Sequence, residues 1–426
     1  MTRAGRSALV SRICPAIIRG ARRGRAERGS HVLVNTVLLT GTLGLAACTA
    51  TAPEAAQSAA PQSDTVVTAE PQSAPQSAME EDPMAAIRDQ VDSWTTEQQV
   101  GRLVVAGVPV DGADQTAAGL VHERFVRGVF LHGRSDADIA GVRALVDAQQ
   151  AAVPTGDPAP LIVATDQEGG DVQVLQGPGF SAMPYATEQA AMGADDLRAQ
   201  SKTWGSELAA AGITLNLAPV ADLVPDEATG AANAPIGAYL RNYGYDAEHV
   251  AAGAGAFADG MEASGVAATV KHFPGLGRVV GNTDYESDVV DAVTTRADPS
   301  VELYRGLIRP GRAVMVSLAR YDLIDPAVPA VFSKEIVTGM LRGDLGFDGV
   351  VITDDVSSAQ AVAAWAPGDR AVAAVEAGCD IVLASADSSV AGEMLDALLA
   401  RAEADPVFAD RVAESAARVQ AFSTGA

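Results

Sequence analysis

The chain has 426 residues, is 48% hydrophobic and 4% aromatic, and carries a formal net charge of −24. Such hydrophobic content suits a large soluble core and excludes a wholly disordered chain. Eight Arg and one Glu fall within residues 1–47, which leaves 22 basic and 53 acidic side chains, a formal −31, on the remainder. So acidic a surface argues against nucleic acid, or an anionic membrane, as a partner of the folded part.

Taken in chain order, the first element is a targeting segment, residues 1–47. Arginines between residues 3 and 28 precede an apolar run from Val32 to Ala47. That run is short for a membrane-spanning helix and suits the core of a signal peptide. It ends in Leu45-Ala46-Ala47-Cys48, which resembles the bacterial lipoprotein box: small residues ahead of a thiol that takes the diacylglyceryl group. Cys48 is therefore the expected lipidation site, and the expected location is extracytoplasmic, tied to the membrane by the lipid alone. Residues 48–91, rich in Ala, Pro, Ser and Gln and without a periodic apolar face, read as a flexible tether. With Cys14 and Cys48 in or at the end of the signal, only Cys379 remains, so no internal disulfide and no Cys-rich metal motif is expected in the mature domain.

From residue 92 to 426 the pattern changes. Eight short apolar runs follow one another: GRLVVAGV at 101, GVFLHG at 128, PLIVATD at 160, LNLAPV at 215, AATVKH at 267, AVMVSL at 313, GVVITD at 349 and DIVLAS at 380. Near-continuous Val, Ile, Leu and Ala is what a strand covered on both faces requires. Helix-like stretches lie between most of them, such as DIAGVRALVDAQQAA at 138 and DRAVAAVEAG at 369. Repeated βα units imply parallel strands with right-handed crossovers. Eight of them predict a single α/β domain, a (β/α)8 TIM barrel, whose site lies at the carboxyl ends of the strands. An open doubly wound sheet is the alternative. The tail from Arg401 reads as amphipathic helix closing the barrel.

Polar residues gather at those strand ends. The third run leads into Asp166, the fourth into Asp222, the fifth into Lys271 and His272, and the seventh into Asp354 and Asp355. One such Asp is usually a helix cap or a turn former. Several carboxylates with Lys and His on one rim point to a site.

The residues that carry these groups resemble glycoside hydrolase family 3, in its single-domain β-N-acetylglucosaminidase branch. DQEGGDVQVLQGPGF at 166, LAPVADL at 217, IGAYLRNYG at 236, KHFPGLG at 271, VMVSLARYDLIDPAVPAVFS at 314 and LGFDGVVITDDVSSAQAV at 345 match its landmarks in order. The resemblance covers roughly residues 92 to 395. It implies a retaining, exo-acting β-N-acetylglucosaminidase with Asp354 as nucleophile and Asp355 as a structural neighbour. Asp166, Arg241, Lys271 and His272 match residues that hold the non-reducing sugar. A carboxylate plus cationic donors suits that task, because ring hydroxyls both donate and accept. The stretch before Arg241 is two residues longer than the family's usual IGxR.

This sequence departs from the branch at the acid/base. The branch usually takes it from the His of an Asp-x-His dyad on the loop after KHFPGHG; here that loop reads RVVGNTDYES, with Asp284 at the dyad's Asp and Glu286 at its His. The His within the signature is Leu276, and Asp171 stands where the branch often has Arg. Three readings follow: Glu286 replaces the His, Asp284 acts alone, or the protein is a slow or inactive sugar-binding relative. The expected substrate is GlcNAc-containing cell-wall fragments, with no cofactor, no metal and a monomer as the functional unit. Phosphorolysis, a β-glucosidase or β-xylosidase of the same family, and a sugar-binding lipoprotein are the rivals.

Overall fold

In the computed structural model, the described residues are 83–112, 115–157 and 159–425. The expected signal, Cys48 and most of the expected tether lie outside them. Eight parallel strands form the centre: β1 (Val104–Pro109), β2 (Gly128–His132), β3 (Ile162–Thr165), β4 (Leu215–Asn216), β5 (Ala267–Phe273), β6 (Ala313–Val316), β7 (Val351–Thr353) and β8 (Val382–Ala384). Six fall within one of the eight apolar runs, and β1 and β5 extend one residue past theirs, to Pro109 and Phe273. They pair in the order β7-β6-β5-β4-β3-β2-β1-β8, with Val105 opposite Gly128 and Val104 opposite Val382. A parallel bridge between Ile352 and Ile381 joins β7 to β8 and closes the ring. The closed barrel agrees with the expected (β/α)8 fold, and the open-sheet alternative is set aside.

Side-chain alternation explains why these strands are apolar throughout. Val105, Phe130, Ile162, Ala164, Met315, Ile352 and Leu383 point into the barrel and pack together. Their neighbours Val104, Val129, Val163, Val314, Val351 and Val382 belong to a second core shared with the surrounding helices. A strand buried on both faces has no position for a polar residue except at its ends. The helices start on short polar caps: Asp138 accepts from Gly141 N–H at the head of Ile139–Ala151, and Asp246 from His249 N–H at the head of Ala247–Glu262.

The tail forms two helices, Ala391–Ala404 and Pro406–Thr424, divided at Asp405, whose carboxylate caps the second. Val419 and Phe422 of the second pack against the interior cluster and so shut the amino-terminal end of the barrel. At the other end of the chain the domain boundary needs correction. Pro83–Asp92, placed in the tether by composition, is a helix, and its Ile87 and Val91 are buried in the outer core. Two apolar residues four apart give one face to bury. The folded unit therefore begins by Pro83, not at residue 92. Among the described residues no helix is long and apolar enough to cross a membrane.

Candidate active site

The site lies at the carboxyl ends of β3, β4, β5 and β7. Its scaffold is a buried ion network. Lys271, in β5, places Nζ 2.8 Å from Asp166 Oδ1 and 2.6 Å from Glu168 Oε1. Arg241 approaches Glu168 with two parallel hydrogen bonds, Nε to Oε2 and Nη2 to Oε1, both 2.8 Å. A guanidinium fork fits a carboxylate in this way, which fixes direction as well as charge. Burial alone would raise the Glu168 carboxyl; the charges of Arg241 and Lys271 outweigh that and hold it well below the usual carboxylate range. Arg241 and Lys271 are in turn held protonated against burial, by Glu168 and Asp166 respectively before any other partner.

Ahead of Arg241 the chain makes a tight turn, Gly237–Tyr239, followed by Leu240 in the left-handed region at φ +54°. Arg241 N–H then bonds back to the Ile236 carbonyl, and its Nη1 donates to the Pro235 carbonyl at 2.8 Å.

A second group orients His272. Asp222 is fully buried and accepts from three donors: His272 Nδ1 at 2.7 Å, His272 N–H at 3.2 Å and Leu276 N–H at 2.6 Å. A carboxylate can only accept, so Nδ1 carries the proton towards Asp222 and Nε2 is left for a ligand. The turn after β5 makes this possible. Gly275 adopts φ +135°, and a Cβ on Gly277 would lie 2.0 Å from the Leu223 carbonyl oxygen. Leu276, in place of the family's His, is buried, and its backbone N–H is what reaches Asp222.

Asp354 follows β7 directly. Its N–H bonds to the Val316 carbonyl, and its Oδ1 accepts from Asp355 N–H at 2.8 Å. Asp355 faces a different way. It accepts from the N–H and hydroxyl groups of Ser357 and Ser358 and from Ser385 N–H, tying β7 to β8.

Across from Asp354 stands the loop that carries Asp284. The loop is pinned by Ala361 N–H to the Thr283 carbonyl at 3.0 Å and by Gln360 N–H to the Asp284 carbonyl at 3.3 Å. Asp284 keeps access to solvent, but lost hydration at the crowded mouth, and then the nearby Asp354 charge, push its carboxyl up to about 6. Glu286 takes another course. Its Oε1 accepts from Asn282 N–H at 3.1 Å, and its carboxylate folds over Gly281 within its own loop.

The structure thus brings Asp166, Arg241, Lys271, His272, Asp284 and Asp354 to one rim, and turns Glu286 back on its loop. Sequence reasoning missed the parts played by Glu168 and Asp222. Each sat inside a quoted motif, and each owes its role to partners many residues away. Asp171 is exposed; it accepts from the Tyr185 hydroxyl at 3.2 Å, and its carbonyl from Arg134. Among the described residues no group of three or more His, Cys, Asp or Glu is arranged to hold a metal ion. A cavity bordered by Phe347, Arg418 and Phe422 lies at the amino-terminal end of the barrel, remote from these groups.

Residues 95–422 match the glycosyl hydrolase family 3 N-terminal domain. The chain is 35% identical over 287 residues to a β-hexosaminidase of Xanthomonas oryzae pv. oryzae, covering 65% of this chain and 81% of that protein. Among solved structures it resembles a β-N-acetylhexosaminidase from Beutenbergia cavernae, with 52% identity, a TM-score of 0.77, and coverage of 78% of this chain and 99% of that one. It also resembles a family 3 β-N-acetylglucosaminidase from a Paenibacillus species, with 33% identity, a TM-score of 0.71, and coverage of 78% and 62%.

Proposed function

The chain belongs to glycosyl hydrolase family 3, and we propose that it is an exo-acting β-N-acetylhexosaminidase that removes terminal β-linked GlcNAc from peptidoglycan fragments by a retaining, two-step route. It is a glycoside hydrolase acting on O-glycosyl bonds. The hexosaminidase names of its relatives support GlcNAc as the sugar. The lipoprotein-like Cys48 and a lipid-held, extracytoplasmic location support a cell-wall substrate, and both stand as proposals.

The non-reducing sugar is held by its hydroxyls. Asp166 accepts from them, while Lys271, Arg241 and His272 Nε2 complete the grip. The ionic partners Glu168 and Asp222 fix those side chains before the substrate arrives, which lowers the entropic cost of the reacting pose. Asp354 then attacks the anomeric carbon, and Asp284 gives its proton to the leaving oxygen as the glycosidic bond breaks. In the second step Asp284 removes a proton from water, water attacks the anomeric carbon, and Asp354 is released as carboxylate. Two carboxyl groups in these roles, with oxocarbenium-like transition states, define retention.

One observation carries the choice of Asp284 over Glu286. The Asp284 loop is docked against residues 360 and 361, on the segment that follows Asp354, and there lost hydration and then the Asp354 charge push the Asp284 carboxyl up to about 6, which suits a group that acts first as acid and then as base. Glu286 instead caps Asn282 N–H. The test is hydrolysis of β-GlcNAc, β-glucoside and β-xyloside substrates with and without phosphate, with the first-formed anomer followed by NMR. Release of β-GlcNAc from the GlcNAc substrate alone supports the reading. A first-formed α-anomer, a glycosyl phosphate, or preference for glucoside or xyloside contradicts it.

A further inference from the structure

We propose that Asn282 and Glu286 are positioning residues, a clip that shapes the turn carrying Asp284 and keeps it docked. The inference rests on reading Asp284 as the acid/base of a glycosidase. Glu286 stands where the family branch has its His, and proton transfer through Asp284 leaves it without a chemical task. Its contacts give it another. Asn282 N–H donates to Glu286 Oε1 at 3.1 Å, and Asn282 Oδ1 accepts from Asp284 N–H at 2.9 Å. The Asn282 carbonyl accepts from Tyr285 N–H at 3.1 Å and from Glu286 N–H at 2.9 Å. Such reciprocal bonding heads many helices; here it closes a single turn, with Asp284 at its centre. Gly281 lets the carboxylate fold over it, since a Cβ there would lie 2.8 Å from Glu286 Oε2.

Other groups anchor the two ends of the loop. The buried Asn233 donates through Nδ2 to the carbonyls of Leu276 and Val279 at 2.8 and 2.7 Å, and Ala234 N–H donates to the Val280 carbonyl at 3.2 Å. At the far end Arg320 N–H donates to the Val289 carbonyl at 2.9 Å. The tip between them meets the segment that follows Asp354 through two carbonyls, of Thr283 and Asp284, which accept from Ala361 and Gln360 N–H. Both carbonyls lie within the clipped turn, so the turn's shape sets where they point.

The clip therefore acts on Asp284 through the backbone. What it asks of residue 286 is an acceptor oxygen, not a proton to transfer. Beside lost hydration, the charges that act on the Asp284 carboxyl come chiefly from Asp354, Arg241, Asp355 and His272, all on other segments. A loosened turn would restore hydration to that carboxyl and draw it away from the charges it now meets.

The test uses the full chain with Glu286→Ala, Glu286→Gln, Asn282→Ala and the double Ala variant. Substrates are a β-1,4-linked GlcNAc disaccharide and an aryl β-GlcNAc. Each single Ala variant is expected to lower kcat on the disaccharide about fivefold, the effect of a lost helix cap, with KM within about twofold and a smaller loss on the aryl substrate. The double variant should match either single one, because both remove the same clip. The alkaline limb of kcat/KM, set by protonated Asp284, should move to lower pH, and hydrogen exchange at the Ala361 amide should quicken. Glu286→Gln keeps the acceptor and should match wild type in every reading. Wild-type kinetics and wild-type Ala361 exchange in Glu286→Ala overturn the clip. If Glu286→Gln loses kcat as Glu286→Ala does while Ala361 exchange stays slow, the carboxyl itself moves the proton, and both the clip and the Asp284 reading fail. If wild type turns over neither substrate, the glycosidase reading fails, and Ala361 exchange in Glu286→Ala decides the clip by itself.

Discussion

Replacing Glu168 with Gln removes one negative charge from a side chain that faces two cations, while keeping its shape. Arg241 donates to Glu168 at 2.8 Å through two nitrogens, and Lys271 Nζ lies 2.6 Å away; the Glu168 side chain is 8% exposed and that of Lys271 4%. Removing one partner of a buried ion pair costs about 3–5 kcal/mol, since the other charge stays buried. Gln keeps one acceptor, and Asp166 still faces Lys271 at 2.8 Å, so the lower end, about 3 kcal/mol, is expected. The pH dependence gives a second check. The Glu168 carboxyl is held below its usual 4.5, so its contribution is complete above that value and is lost as pH falls through the folded-state value. Urea denaturation should therefore show the full gap between wild type and Glu168→Gln at about pH 7 and a narrower one below about pH 4. Equal stability at neutral pH, or a gap that widens on acidification, would contradict this role of the Glu168 charge.

Three further outcomes are expected. Asp222→Asn puts an amide donor against three donors, so kcat/KM should fall about 100-fold or more as the His272 ring loses its fixed tautomer; a ring nitrogen spectrum unchanged from wild type would count against this. Asp284→Asn should stabilise the fold while removing activity. Its folded-state carboxyl sits near 6 against 3.8 unfolded, so the ionised form is penalised at neutral pH and the penalty fades as pH falls from about 6 towards 3.8. Discounted for solvent exposure, the gain is about 1 kcal/mol at neutral pH, readable as a higher Tm that returns to wild type in acid. Ile87→Ala should cost about 2 kcal/mol in urea denaturation if the helix Pro83–Asp92 is part of the folded unit, and nothing if that segment is tether.

All eight strands were legible because a barrel strand must be apolar on both faces, and that leaves a run which few other elements produce. Pro83–Asp92 was not. Its two buried residues, Ile87 and Val91, follow a long Ala, Pro and Ser tract and make too weak a pattern by themselves. Arg241 reaches Glu168 from the end of the Gly237–Tyr239 turn, a local geometry that spacing alone does not reveal. Glu168 and Asp222 were visible as carboxylates near strand ends, but not as partners of Arg241, Lys271 and His272, since those contacts join segments more than forty residues apart. Glu286 was the first choice for the acid/base by alignment with the missing His. The fold turns the Glu286 side chain towards Asn282 and docks the backbone of Thr283 and Asp284 against residues 360 and 361, which supports the proposal of Asp284 in its place; that docking is not written in residue order.

The most direct test compares wild type, Asp354→Ala, Asp284→Asn and Glu286→Gln on a natural GlcNAc disaccharide and on an aryl β-GlcNAc with an activated leaving group. Asp354→Ala should lose both activities. Asp284→Asn should lose about 100-fold or more on the disaccharide and less in the first step on the aryl substrate, whose leaving group needs little proton donation. Glu286→Gln should stay within about threefold of wild type on both. If Glu286→Gln instead loses the disaccharide and Asp284→Asn retains it, the proton travels through Glu286 and Asp284 is not the acid/base.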